Sequence, residues 1–215
     1  MNLLSTTSIF SFYTLISRVL GYVRDILIAI FLGASIFADA FFVAFRIPNT
    51  FRRLFGEGSF NAAFVPSYSK ELVKGKIKSK NFANDVFNFL ALSLIILVVL
   101  VELFMPFFVS LIAPGFRLDP QKYSLAIQLT KITFPFILFV SLASFFSAIL
   151  NSHNKFAAAS AAPIILNILM IAVLIFGKIL DEKLVIYLSY AVTFAGFTQA
   201  IFLLIFVKKY FQPRI

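Results

Sequence analysis

The sequence predicts an all-α membrane protein, in which about six transmembrane helices form one transmembrane domain over residues 1–215. Of its 215 residues, 61% are hydrophobic, compared with about 45–50% in soluble domains. Charged residues make up only 13%, about half of the usual fraction. The apolar residues also gather in stretches of about 20 or more, the length that a helix needs to cross a bilayer.

Six such stretches are predicted to span the membrane. They cover about residues 8–32, 35–55, 86–113, 123–150, 156–176 and 184–207. Turn residues separate them, such as Gly33 and Ala34 after the first span and Pro114 and Gly115 after the third. Because these connections are short, sequential helices are expected to be antiparallel neighbours.

Basic residues in the loops predict that both termini lie on the cytoplasmic side of the membrane. Five lysines lie between residues 67 and 84, and further lysines lie near residue 155 and in the C-terminal tail. In a six-span arrangement all these loops share one face, and cytoplasmic loops are the ones enriched in Lys and Arg. The segment Asn61–Leu72 mixes apolar and polar residues, so an amphipathic surface helix or loop is expected on that face.

Composition argues against several functional classes. The chain has no cysteine and one histidine, so thiolate chemistry and a histidine zinc site are excluded. No phosphate-binding lysine motif or nucleophile–base arrangement is present. We therefore expect no metal, no cofactor and no enzymatic activity. The net charge of +10 is explained by cytoplasmic loops rather than by nucleic-acid binding.

Arginines inside apolar sequence are the most informative feature. The first two spans carry five arginines and two aspartates, namely Arg18, Arg24, Asp25, Asp39, Arg46, Arg52 and Arg53. A guanidinium stays protonated at any ordinary pH, and at mid-membrane it costs about 2.5–3.5 kcal/mol on insertion scales. The surplus positive charge favours an anionic ligand, and the planar fork of arginine suits phosphate or pyrophosphate. The alternative is a purely structural role in which the aspartates neutralise the arginines.

Helical geometry divides the charged residues of the first span into two directions. At about 100° per residue, Ser17, Gly21 and Arg24 share one stripe, and Arg18 and Asp25 share an adjacent one. Asp25 is therefore expected to pair with Arg18 or with another helix, rather than with Arg24.

In the second span, Asp39, Arg46 and Arg53 recur at intervals of seven residues, with Asn49 beside them. This spacing predicts a pairing of Arg46 with Asp39. For Arg52 and Arg53, position alone leaves two interpretations open: contact with a ligand, or extension of the side chain to the cytoplasmic interface.

Two further polar positions are interpreted structurally. Glu102 and Lys131 lie at similar depth in antiparallel neighbours, so a buried ion pair is predicted between them. His153 lies in the joint between the fourth and fifth spans, and a solvated loop histidine is expected there.

Several motifs resemble the MurJ (MviN) lipid II flippase family. The most specific are SRVLGYVRD at residues 17–25, DAFFVAFRIPN at residues 39–49, FRRLFGEG at residues 51–58 and FNAAFVP at residues 60–66. Supporting matches are APGF at residues 113–116, FP at residues 134–135, LNS at residues 150–152 and APIILN at residues 162–167. They follow one another in family order across most of the chain.

The resemblance implies one lobe of a multidrug/oligosaccharidyl-lipid/polysaccharide exporter-type fold. It implies a transporter that flips the lipid-linked peptidoglycan precursor across the cytoplasmic membrane by alternating access, in the service of cell-wall biogenesis. In the family's motif, Arg18, Arg24 and Arg52, together with Ser17 and Asn49, would bind the pyrophosphate and head group. Asp25, Asp39, Arg46 and Arg53 would be supporting charge partners.

The chain resembles only the N-terminal lobe of this two-lobed family. It is therefore expected to be a fragment, one part of a split protein, or a chain that needs a second chain to supply the other lobe. Two alternatives stay open. The chain could export another polyprenyl-diphosphate-linked sugar, or it could be a non-transporting membrane subunit or truncated remnant.

Overall fold

The computed structural model describes the backbone of residues 3–57, 59–177 and 183–214, and side chains within residues 8–50, 60–177 and 183–214. Within these ranges the chain is helical and contains no strand, as the sequence predicts. The α-helices are α1 Leu3–Leu32, α2 Ile36–Glu57, α3 Ser59–Val73, α4 Lys76–Leu103, α5 Met105–Ile112, α6 Pro120–Thr133, α7 Phe136–Ser152, α8 Phe156–Phe176 and α9 Leu184–Val207. A short 3₁₀ helix, Pro114–Leu118, joins α5 to α6.

Four helical stretches of the described residues are long and apolar enough to cross a membrane. They are α4, the combined stretch Pro120–Ser152, α8 and α9. The last three coincide with the predicted fourth to sixth spans, whereas the predicted third span, about residues 86–113, overlaps only the second part of α4 and continues through α5. The first two predicted spans coincide with α1 and α2, which are not among the four. These two helices carry the arginines of the first two predicted spans. That α1 and α2 cross the membrane stays a prediction.

Two of the predicted spans are each divided into two helices. The third breaks at Phe104, where α4 ends and α5 begins with Pro106 near its start. The fourth breaks between α6 and α7, at Phe134 and Pro135. In both places proline lacks the N–H that would continue the helical hydrogen-bond ladder.

α7 forms the centre of the bundle. Eleven of its residues are buried, and it packs against α2, α3, α4, α8 and α9. α9 approaches it closely at Gly196, where an added Cβ would lie 2.6 Å from Cδ2 of Phe136. α1 lies outside this core and packs mainly against α8, which leaves space between α1 and α7.

The predicted surface segment is the helix α3. It packs against α4 and α7, with Phe64 and Tyr68 buried at 5% and 1% exposure. The phenol of Tyr68 lies 3.3 Å from Nε2 of His153, and the imidazole of His153 stacks on Tyr210 with ring centroids 4.1 Å apart. The expectation of a solvated His153 is therefore wrong. Packing of α3 and the C-terminal tail over the end of α7 leaves the ring half-buried and in contact with both tyrosines.

Acidification is expected to destabilise this junction. Burial lowers the pKa of His153 from its ordinary value of 6.5, so the unfolded chain takes up a proton at a higher pH than the folded chain does. Stability is therefore lost as pH falls through 6.5. We expect the melting temperature of the wild type to fall more between about pH 7.5 and about pH 5.5 than that of His153→Phe, which keeps an aromatic ring but does not titrate. Equal falls in both proteins would contradict this assignment.

Candidate functional site: a polar cavity beside α1

A cavity of about 640 Å³ lies between α1, α7, α8 and α9. Asn49 of α2 and Asn61 of α3 also line it. The described polar lining consists of Thr14, Ser17, Arg18, Arg24, Asn49, Asn61, Ser144, Ser147, Asn151, Ser160, Asn167 and Gln199. So many polar side chains are unusual inside an apolar bundle, and polar groups in membrane helices mark candidate functional sites.

The cavity brings together four of the five residues that the sequence predicts to bind substrate. Ser17, Arg18 and Arg24 come from α1, and Asn49 comes from α2. The side chain of the fifth, Arg52, lies outside the described residues, as does that of Arg53; the backbone of both belongs to α2.

Arg24 is held in place by three helices. Its Nε and Nη2 donate to Oδ1 of Asp25 over 2.9 and 2.7 Å, and its Nη1 donates to Oδ1 of Asn167 on α8 over 2.9 Å. The guanidinium carbon lies 5.6 Å from the ring centre of Phe45 on α2, within the range of a cation–π interaction. A guanidinium has five N–H donors, so two of them are left for a ligand.

The expected orientation of Asp25 is wrong, because its carboxylate pairs with Arg24. The error arises because a long arginine side chain can fold back to its neighbour and bridge the angle between adjacent positions on a helix. Arg18 is exposed toward the cavity and forms no ion pair with any described side chain. Two guanidinium groups therefore line the described part of the cavity, and the one carboxylate paired with them, that of Asp25, is not part of the lining, so positive charge remains.

Asp39 and Arg46 are not partners. The carboxylate of Asp39 forms an ion pair with Lys122 at the start of α6, because α2 packs along α6. Arg46 is exposed, is not among the residues lining the cavity, and pairs with no described carboxylate.

The predicted ion pair between Glu102 and Lys131 is not formed. Lys131 is exposed, and Oε1 of Glu102 is buried and accepts no hydrogen bond from the described residues. Lys131 is near enough to act on the carboxylate electrostatically, without direct contact. The two residues are apart because α4, which carries Glu102, packs mainly against α3 and α7, whereas α6, which carries Lys131, packs mainly against α2 and α9.

Asn167 is the main site residue that sequence reasoning missed. Its Oδ1 accepts from Arg24, and its Nδ2 donates to the backbone carbonyl of Ser17 over 2.9 Å. Gly21 lies beside this contact, where an added Cβ would be at an ordinary van der Waals distance, 3.7 Å, from Nδ2 of Asn167. Asn167 thus joins α8 to α1 and positions Arg24. The sequence contained one indication of its role, because Asn167 is the last residue of the family-like motif APIILN.

The described residues contain no cluster of His, Cys, Asp or Glu that could hold a metal ion. The cavity is lined by positively charged and hydrogen-bonding groups, namely two guanidinium groups beside amide and hydroxyl groups. Such a site can bind an anion and uncharged polar groups next to it.

Fold and site together define a polytopic helical membrane protein with an arginine-lined internal cavity. The sequence profile described as lipid II flippase MurJ matches residues 28–214. The chain therefore belongs to the lipid II flippase MurJ family, as its motifs predict. Members of this family are named as lipid II flippases, and the long apolar helices of this chain agree with the expectation of a multi-pass protein of the cytoplasmic membrane.

Individual relatives and a solved structure agree with this assignment. The chain is 39% identical over 210 residues to the probable lipid II flippase MurJ of Rickettsia prowazekii, covering 97% of this chain and 41% of the relative. It is 38% identical over 210 residues to the lipid II flippase MurJ of Burkholderia cenocepacia, with the same coverage of 97% and 41%. The structure of a lipid II flippase MurJ in an inward closed conformation matches with a TM-score of 0.80 and 29% identity, over 96% of this chain and 43% of that one.

The chain thus spans about two-fifths of the length of the relatives that it matches. The likeness to the solved structure extends over nearly the whole chain, so it applies to the described bundle as a unit.

Proposed function

We propose that this chain forms one lobe of a lipid II flippase, and that its cavity binds the pyrophosphate of the lipid-linked peptidoglycan precursor. The observation that carries the proposal is the placement of Arg18 and Arg24 on one wall of the cavity, beside Ser17 and Asn49. Family membership supports the choice of substrate, since the relatives are named as lipid II flippases.

The charge balance of the wall favours a multiply charged anion. Asp25 compensates Arg24 in part, whereas Arg18 has no carboxylate partner among the described side chains. A pyrophosphate supplies at least two negative charges and several acceptor oxygens, and arginine binds such groups through paired N–H donors. The two free donors of Arg24 and the whole guanidinium of Arg18 would serve these oxygens.

Arg52 is assigned to the same site from its sequence position. It follows Asn49 by three residues on α2, and positions three or four apart on a helix lie on one side of it. In this proposal Arg52 approaches the pyrophosphate from α2 while Arg18 and Arg24 approach it from α1. Arg53, Arg46 and Asp39 contribute to the local charge without direct contact.

Transport itself requires a second bundle, either on the same polypeptide or on another chain. Alternating access works by movement of one bundle against another around a fixed site. In our proposal the present bundle spans the membrane about six times with both termini in the cytoplasm. The cavity then receives the head group from the inner leaflet and releases it outside, while the prenyl tail remains in lipid.

The test is a binding titration with the chain reconstituted in lipid nanodiscs. We expect tighter binding of undecaprenyl diphosphate than of undecaprenyl monophosphate. Arg18→Ala and Arg52→Ala are each expected to weaken diphosphate binding by about tenfold, the value of one charge-assisted hydrogen bond. Arg117→Ala, which alters an exposed arginine of the 3₁₀ helix, is the control. Wild-type affinity in both cavity variants would contradict the proposal.

A further inference from the structure

We propose that the part of the cavity away from Arg24 is a separate subsite, which recognises the uncharged hydroxyl- and acetamido-bearing sugar of the ligand through Gln199 and Asn151. This inference rests on the proposed function, because it divides the same cavity into a part that binds pyrophosphate and a part that binds sugar. No residue of this second group belongs to the predicted substrate-binding set.

Two amide side chains in this region each have one buried atom without a hydrogen-bond partner among the described residues. Gln199 of α9 is only 3% exposed, and its Nε2 donates to no described group. Asn151 of α7 has a buried Oδ1 that accepts from none. Neither of these two atoms is itself accessible to solvent, but both belong to side chains that line the cavity. Buried polar atoms are nearly always hydrogen-bonded in native proteins, so a polar ligand toward which these two amides rotate would satisfy them.

The surrounding surface has matching chemistry. Ser144, Ser147 and Asn151 are spaced at i, i+3 and i+7 on α7 and line the cavity together. The hydroxyl of Ser144 donates to the carbonyl of Val140 over 2.9 Å, which leaves its oxygen able to accept. Ser160 of α8 adds another hydroxyl. The described side chains of this group carry no formal charge, so they suit sugar hydroxyl and amide groups better than phosphate.

The spacing of the two parts fits one extended head group. Ser160 precedes Asn167, the partner of Arg24, by seven residues on α8, and seven residues of α-helix rise about 10 Å. Ser160 therefore lies roughly this far along α8 from the amide that bonds to Arg24. A disaccharide attached to a pyrophosphate has a comparable reach, so both parts of the cavity could bind one molecule.

Specificity is expected to reside in this neutral part. A site that hydrogen-bonds a substrate through buried polar groups discriminates against analogues that lack those groups, because its own donors and acceptors then stay unpaired. Gln199 and Asn151 would thus favour a glycosylated pyrophosphate lipid over the bare one, while the arginines bind both.

The test compares two ligands in nanodiscs: undecaprenyl diphosphate, and undecaprenyl diphosphate carrying an N-acetylated disaccharide. We expect the wild type to bind the glycosylated lipid more tightly. Gln199→Leu and Asn151→Leu are each expected to reduce this preference roughly three- to tenfold, the effect of one lost neutral hydrogen bond. Arg24→Ala is expected to weaken the binding of both lipids.

Thr198→Val is the matched control, because Thr198 is adjacent to Gln199 but its hydroxyl bonds to Phe194 of its own helix. This variant should keep the wild-type preference. Thermal melting of each variant identifies loss of folding, and the less buried Asn151 provides a second variant should Gln199→Leu melt early. A wild type that binds both lipids equally, or a preference that survives in both folded variants, would overturn the inference. A wild type that binds neither lipid would instead overturn the proposed function.

Discussion

Replacing Arg24 with alanine is expected to weaken pyrophosphate-lipid binding by roughly 10- to 100-fold, the effect of removing one or two charge-assisted hydrogen bonds. The side chain is only 15% exposed, and Asp25, Asn167 and Phe45 hold it in place. Its orientation is therefore largely set before a ligand arrives, which reduces the entropic cost of binding. The measurement is the dissociation constant for undecaprenyl diphosphate in nanodiscs.

Arg24→Lys separates charge from geometry. Lysine keeps the positive charge but has no planar fork, so it cannot bond to Asp25, Asn167 and a phosphate in the same way. We expect an affinity between those of the alanine variant and the wild type. Full wild-type affinity in Arg24→Lys would indicate that only the charge matters, and full affinity in Arg24→Ala would remove Arg24 from the site.

Replacing Gly196 with valine is expected to have the largest effect on stability. A Cβ at this position would lie 2.6 Å from Cδ2 of Phe136 and 3.2 Å from Cβ of Phe139, and Phe136 is fully buried. The ring cannot move without disturbing the packing of α7 against α9. Overpacking of this kind costs about 1–3 kcal/mol, and valine adds atoms beyond the Cβ.

The control for Gly196→Val is Gly115→Ala, where an added Cβ meets nothing within 4 Å. We expect a clear fall in the melting temperature of the Gly196 variant in detergent and little change in the Gly115 variant. Equal melting temperatures would show that α7 and α9 do not pack as closely as described.

Much of the architecture is predictable because long apolar stretches report directly on membrane-spanning helices. The all-α class and the family both follow from the sequence and are confirmed. The breaks at Phe104 and Pro135 are harder to predict from the sequence, since proline is tolerated inside many membrane helices. The environment of His153 is harder still to predict, because Tyr68 and Tyr210 are distant from it along the chain.

The charged residues of the candidate site can be predicted from the sequence, but the residues that contact them cannot. Arg18 and Arg24 stand out because a guanidinium in apolar sequence is energetically costly. Asn167 lies 150 residues from Ser17, to which it bonds, and no helical periodicity relates residues on different helices. Gln199 likewise matters because it is buried beside a cavity, and both the burial and the cavity arise only when the helices pack together.

The central claim is that the arginine-lined cavity receives the lipid-linked pyrophosphate, and site-specific photocrosslinking tests it most directly. Phe10 lines the cavity, whereas Phe12, two positions later on α1, does not. Both side chains are exposed, Phe10 at 49% and Phe12 at 60%, so the comparison tests position rather than accessibility. Each is replaced in turn by the photoreactive residue p-benzoylphenylalanine, in membranes that contain lipid II. Our account predicts a lipid II adduct at position 10 that is lost with Arg24→Ala, and little or none at position 12. Equal labelling at both positions, or labelling at position 10 that persists without Arg24, would contradict it.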